Sequence, residues 1–179
     1  MTKNKILEWD IYFLRIAREI SKHSKCLSRH IGAVLVKDKS IVSTGYNGPA
    51  KGIKHCNERD LEFYEHINLR PAYGNFVDKD NTCPRRAFDY KSGQGLHLCQ
   101  AGHAERNALI QAAKHGIATN GASLYCYCGQ VCKDCAIEII NAGIVELVYL
   151  EGIAYDGYSD TILKESGIKI RQINEELLK

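Results

Sequence analysis

The sequence predicts a three-layer α/β/α fold, with a central mixed sheet flanked by helices. Three observations predict it. An amphipathic helical stretch opens the chain, two β-branched runs separated by a short polar turn follow, and the second half alternates helical with strand patterns. A hairpin is antiparallel, whereas strands that alternate with helices are joined by crossovers and run parallel, so one sheet holding both is mixed.

Residues 7 to about 24 read as the first helix, with Trp9, Phe13, Ile16, Ala17 and Ile20 at helical spacing as its core face. Residues 31–36 and 41–46 read as a hairpin closed by Lys37-Asp38-Lys39-Ser40. Asn47-Gly48-Pro49 breaks the second strand. An amide at such a strand end either serves the turn or hydrogen-bonds a sugar hydroxyl or a pyrimidine edge. Residues 104–114 are helical and 122–128 form a strand. A helix starting at Cys132 runs to Ala142, with Gly143 as its cap, and residues 144–150 are again a strand. Residues 156–166 read as a helix capped by Asp156 or Ser159 and ended by Gly167. Residues 168–173 alternate as a last strand, and 174–179 read as a frayed end.

Between these blocks lie residues 50–102, weakly periodic apart from a short helix over 61–69, with scattered Gly, Pro, Cys and His. A segment this long without elements of its own needs another source of order, and a bound metal supplies it. The candidate ligands are Cys26, Cys56 and His97, with Cys99 or Cys83 completing the set; the other reading is free thiols. The expectation is one domain over 1–179, with a metal-stabilised insertion at about 48–102.

Composition narrows the function classes. A chain of 179 residues suits one domain, and 45% hydrophobic with 25% charged residues is ordinary for a globular protein. The net charge of +3 lacks the broad basic surface that nucleic acid demands, yet allows an anionic small molecule held by a few local cations. The apolar runs are strand-length, so no membrane span is expected, and no export signal is visible. Eight Cys without an export signal, several beside His, point to metal binding in a reducing, cytoplasmic setting.

His103-Ala104-Glu105 and Cys132-Lys133-Asp134-Cys135 carry the chemistry. Zn²⁺ accepts imidazole nitrogen and thiolate sulfur, and a catalytic zinc keeps three protein ligands and one open position. His103, Cys132 and Cys135 supply three, each at a helix start, where the macrodipole favours thiolates. Glu105 lies too near His103 along the chain to be a fourth ligand and is expected to move protons instead. Cys126 and Cys128 share a strand face and read as small core fillers.

Order and spacing match the H-x-E…P-C-x-x-C signature of zinc deaminases, with Val131 in place of Pro. With Ser24-Lys25-Cys26 ahead of Ile31-Gly32-Ala33-Val34, with Thr44-Gly45-Tyr46-Asn47-Gly48, and with Val148-Tyr149-Leu150 ahead of Tyr155-Asp156, the chain resembles the cytidine deaminase superfamily and, within it, the deoxycytidylate (dCMP) deaminases. The resemblance spans about residues 7–160. It implies the α/β/α deaminase fold, a homo-oligomer that is often a hexamer, and zinc-dependent hydrolysis of dCMP to dUMP for thymidylate synthesis. It also implies activation by dCTP and inhibition by dTTP, bound with Mg²⁺. By position, Asn47 would contact sugar or base, Ser28 and Arg29 the phosphate, and Tyr155 the pyrimidine, with Ala104 also at the substrate. A second, structural zinc is implied at Cys26, Cys56 and His97. The rival readings are a zinc deaminase acting on dCTP, cytidine or a guanine-type base, and a non-catalytic zinc-binding nucleotide sensor. The sensor has no need of a glutamate two residues after a ligand.

Overall fold

The structure is a computed structural model that describes residues 8–67, 83–91, 94–152 and 156–179. The described elements are α1 (Glu8–Ser21), β1 (Gly32–Lys37), β2 (Ser40–Tyr46), α2 (Leu61–His66), α3 (Pro84–Ala87), α4 (Ala104–Lys114), β3 (Ser123–Tyr127), α5 (Lys133–Asn141), β4 (Glu146–Leu150), α6 (Gly157–Glu165) and β5 (Lys169–Ile173), with three short 3₁₀ turns. They fall into two compact units: 1–24, 31–47 and 103–179 in one, 25–30 and 48–102 in the other.

The first unit is built on one five-stranded sheet in the order β2-β1-β3-β4-β5. β1 is antiparallel to β2 and β3, while β3, β4 and β5 are parallel. The expected mixed sheet is therefore present. Its hairpin turns at Asp38 and Lys39, both with positive φ, the backbone of a two-residue turn that matches strand twist.

Alternation along the strands separates two core layers. Ala33, Leu35, Leu124, Cys126, Leu147 and Tyr149 face Ala108, Ala112, Cys135, Ile139 and Leu163 of α4, α5 and α6. Val34, Val36, Tyr125, Val148, Leu150 and Ile173 face Phe13, Leu14 and Ala17 of α1. Each fully buried Leu or Phe contributes about 1.5–3 kcal/mol of transfer free energy. α1 sits so close that a Cβ on Gly32 would lie 2.0 Å from the Ala17 carbonyl oxygen.

Two expectations need correction. The buried face of α1 is Asp10, Phe13, Leu14, Ala17 and Ser21; Trp9 is 43% exposed, and Ile16 and Ile20 are only partly covered. A charge turns the helix: Asp10 is fully buried because Arg171 of β5 donates to both its carboxylate oxygens and Tyr125 donates at 3.3 Å. The C-terminal end is not frayed. It forms a 3₁₀ turn over Glu175–Leu178 capped by Asn174, with Leu178 buried and its carbonyl bonded by Arg15 and Arg18.

The second unit holds α2, α3 and the 3₁₀ turns Cys56–Glu58 and Leu96–Leu98. α2 is capped by Asp60, which accepts from the Phe63 amide at 2.8 Å. The helix expected to reach residue 69 is described only to His66. Among the described residues, no helix is long and apolar enough to cross a membrane.

Candidate metal and active site

The sequence places His103 and Cys132 one residue before strong helix-forming runs, and the structure makes each the N-cap of its helix, with extended φ and ψ. Neither side chain is used on a cap hydrogen bond, so both remain available as ligands. α4 and α5 present these ends together: His103 Nδ1 lies 3.3 Å from Cys132 Sγ and 3.3 Å from Cys135 Sγ. Tetrahedral zinc with ordinary Zn–N and Zn–S lengths sets N and S about 3.5 Å apart. Among the described residues, these three form the one set of metal-ligating groups whose ligand atoms all lie within 4.8 Å of one another. One imidazole and two thiols in that spacing fit Zn²⁺ and leave a position for water.

The three side chains shift one another's protonation. The hydrogen bond from Cys135, helped by His103 and opposed by burial, holds the Cys132 thiol down at about 4. The hydrogen bond with Cys132, together with burial, pushes Cys135 up. The Cys132 hydrogen bond raises His103 against burial. Glu105, in the first turn of α4, is 4% exposed, and burial pushes its carboxyl up. Its Oε2 is buried without a hydrogen-bond partner in the structure. A buried, unsatisfied carboxylate oxygen costs about 1–3 kcal/mol or more, a cost that persists at sites where a ligand or reacting group completes the bond.

Several supporting side chains escape sequence reasoning. Asp156 Oδ2 accepts from the Lys133 amide at 2.6 Å while Oδ1 caps α6, and Ser159 Oγ donates to the Val131 carbonyl at 2.6 Å. These two residues grip the loop that carries Cys132. Val131 itself is buried in the core, so packing and Ser159 hold the turn where the signature has Pro. Arg106 bridges to Glu138 at 2.9 Å, tying α4 to α5 three residues beyond a ligand in each. Only that i+3 offset from each ligand hints at the pair in sequence.

The predicted substrate contacts are placed unevenly. Asn47 is buried at the end of β2, and its Oδ1 accepts from the Ile31 amide at 2.8 Å. Ala104 is the first residue of α4 and fully buried; its N–H is one of the helix-start donors without an intrahelical acceptor. Ser28 is half-buried and Arg29 exposed, and both backbone amides point to the Cys26 sulfur, at 3.4 and 3.5 Å. Tyr155 lies outside the described residues.

The second unit brings Cys26, Cys56, Cys83 and Cys99 around a cavity of about 30 Å³, with His55 and Arg85 also lining it. His97 does not line it; it is exposed, its ring edge-on to Tyr90. The Cys56 hydrogen bond, against burial, holds Cys83 at about 6, while the Cys83 hydrogen bond pushes Cys56 up. Cys126 is fully buried in the core, as expected of a filler.

A mixed sheet flanked by helices whose starts present one imidazole, two thiols and a buried glutamate fits the class of zinc-binding proteins. The chain belongs to the family described as the cytidine and deoxycytidylate deaminase zinc-binding region, whose sequence model matches residues 7–151. It is 34% identical to the deoxycytidylate deaminase of Enterobacteria phage T4, covering 92% of this chain and 90% of that one. It is 32% identical to the deoxycytidylate deaminase of Schizosaccharomyces pombe over 92% of this chain. The chain spans under half, 44%, of that yeast relative's length. In fold it is similar to the dCMP deaminase of cyanophage S-TIM5 in complex with dCMP and dUMP, with a TM-score of 0.65, 21% identity, and cover of 95% of this chain and 100% of that one.

Proposed function

We propose that this protein hydrolyses dCMP to dUMP and ammonia, with zinc held by His103, Cys132 and Cys135. The observation that carries the proposal is the buried, partnerless Oε2 of Glu105 beside that donor set. Zinc in such a set lowers the pKa of bound water from ~15.7 towards ~7. Glu105 accepts the proton of the attacking water and delivers it to ring N3 as the oxygen adds to C4. It then carries the second water proton, from the hydroxyl added at C4, to the 4-amino group as the C4–N bond breaks and the C4 carbonyl forms; the balance is dCMP and water in, dUMP and ammonia out. Asn47 offers its amide to the sugar or base, Ala104 its helix-start N–H, Ser28 and Arg29 the phosphate, and Tyr155 the pyrimidine face. The named relatives support the choice of dCMP.

The same reading extends to a single deaminase domain, cytoplasmic and homo-oligomeric, supplying dUMP for thymidylate synthesis under dCTP activation and dTTP inhibition with Mg²⁺. It also extends to a second, structural zinc. The cavity lined by Cys26, Cys56, Cys83 and Cys99 supports these four as its ligands. Conversion of dCMP by zinc-loaded protein, with dUMP and ammonia in equal amounts, tests the proposal. The expected result is turnover that Glu105→Gln abolishes while keeping its zinc.

A further inference from the structure

The seam between β2 and α4 is built unusually close. A Cβ on Gly45 would lie 2.3 Å from the Ala104 carbonyl oxygen and 2.4 Å from the Ala108 nitrogen, so backbone meets backbone there. Two residues back along the strand, Ser43 Oγ donates to the Ala108 carbonyl at 2.7 Å. One step forward, Asn107 Nδ2 donates to the Tyr46 carbonyl at 2.8 Å. That carbonyl belongs to the peptide bond that leads into Asn47. The backbone amide of Asn107 donates to the His103 carbonyl at 2.9 Å, closing the first turn of α4 around Glu105. One residue thus holds the turn that carries the metal ligand and the acid–base, and also holds the peptide that carries the substrate amide.

Asn47 has its own fixed seat. Its amide donates to the Ile31 carbonyl at 3.2 Å, its Oδ1 accepts from Ile31 at 2.8 Å, and its carbonyl accepts from Ser24 Oγ at 2.8 Å. These contacts seat Asn47 against Ile31, just before β1, and Ser24, just after α1. Ser43 bonds Ala108, the residue after Asn107, and Gly45 packs against the backbone of Ala104 and Ala108. Of these contacts along the seam, the one that holds the peptide leading into Asn47 is made by Asn107.

We propose that Asn107 is a positioning residue that sets the distance between Asn47 and Glu105 through its bond to the Tyr46 carbonyl. This rests on the proposed roles of Asn47 and Glu105, and it adds a group that touches neither substrate nor metal. Near-attack geometry is exacting, and a displacement of about 1 Å can cost ~10² in rate.

The test compares Asn107→Leu, which keeps the volume and removes the donor, with Asn107→Gln, which keeps a donor on a longer arm. Zinc content, thermal midpoint, kcat and KM for dCMP, and amide hydrogen exchange are measured on the whole zinc-loaded protein. Asn107→Leu is expected to keep its catalytic zinc, lose 10- to 100-fold in kcat/KM, and exchange at least fivefold faster at the Ala108 and Asn47 amides, with β3 and β4 unchanged. Asn107→Gln is expected to recover part of both losses. A lowered midpoint with kcat/KM within twofold of the wild type, or unchanged exchange at Ala108 and Asn47, would overturn the inference. If the wild type does not turn over dCMP, the functional proposal falls on that result alone, and the exchange rates still decide whether Asn107 couples the two segments.

Discussion

Glu105 is the residue on which the chemistry turns. Burial raises its carboxyl, and one oxygen has no partner, so a buried carboxyl group stands two residues from the ligand His103. General acid–base catalysis contributes roughly 10²–10⁴ in rate. Glu105→Ala is therefore expected to lower kcat by about that factor while retaining zinc at the wild-type ratio, measured by ammonia release and metal analysis on the same sample. Cys132→Ala is expected to lose the metal as well. The metal set was legible in sequence because HxE and CxxC each stand just before a helix former run, and helix starts leave N-cap side chains free to turn outward. The grip on the Cys132 loop by Asp156 and Ser159 was not legible, because a carboxylate or hydroxyl near a helix start reads as a cap. Asp156 is that cap and also takes the Lys133 amide. Asp156→Ala is expected to weaken zinc affinity by about 10- to 100-fold, as loss of a group that orients a ligand does, in a competition assay with a chromogenic chelator.

At the scale of elements, the network on β4, β5 and α1 holds the sheet's far edge. Arg171, 4% exposed, bonds Asp10 and, at 2.8 Å, Glu146, which also takes Lys169 at 2.7 Å and Ser123 Oγ at 3.2 Å. Breaking a buried pair from one side leaves an uncompensated charge and costs about 3–5 kcal/mol, so Arg171→Leu is expected to lower unfolding stability by that order in urea titration. Burial works against the Glu146 carboxylate, but the bonds from Lys169 and Arg171 outweigh it and hold its pKa below the usual value. A depressed folded pKa contributes stability above the unfolded value, near 4.5, that is lost as pH falls below it. The urea midpoint should thus drop below about pH 4.5, and Glu146→Gln should flatten that drop. This network also explains the misread face of α1. Periodicity marks apolar positions, and the partner that makes a buried aspartate tolerable lies 161 residues away. The strands and later helices were legible because their β-branched runs and glycine stops are local signals, as at Gly143 and Gly167, both with φ of 73°.

For the whole molecule, the two units pose different folding problems. The first has a two-sided core around five strands; the second has short helices and four thiols around one small cavity. From composition the sequence suggests a metal in the second, held by Cys26, Cys56 and His97 with Cys99 or Cys83; the structure puts the four thiols on the cavity and leaves His97 exposed, and nothing local in sequence separates an exposed imidazole from a lining thiol. If the four thiols hold a structural zinc, the protein binds two zinc ions per chain. A Cys56→Ser, Cys83→Ser double variant then binds one, and amide exchange within 48–102 quickens while the sheet stays protected. A wild-type count of one would remove that second metal.

The measurement that tests the central claim most directly is ammonia release from zinc-analysed protein on dCMP, dCTP, deoxycytidine and cytidine side by side, with and without dCTP or dTTP as effector. The account predicts a clear preference for dCMP, no turnover in Glu105→Gln, and a rate that responds to the effectors. Zinc-loaded protein that leaves all four compounds intact, or that prefers one without the 5′-monophosphate, would contradict it.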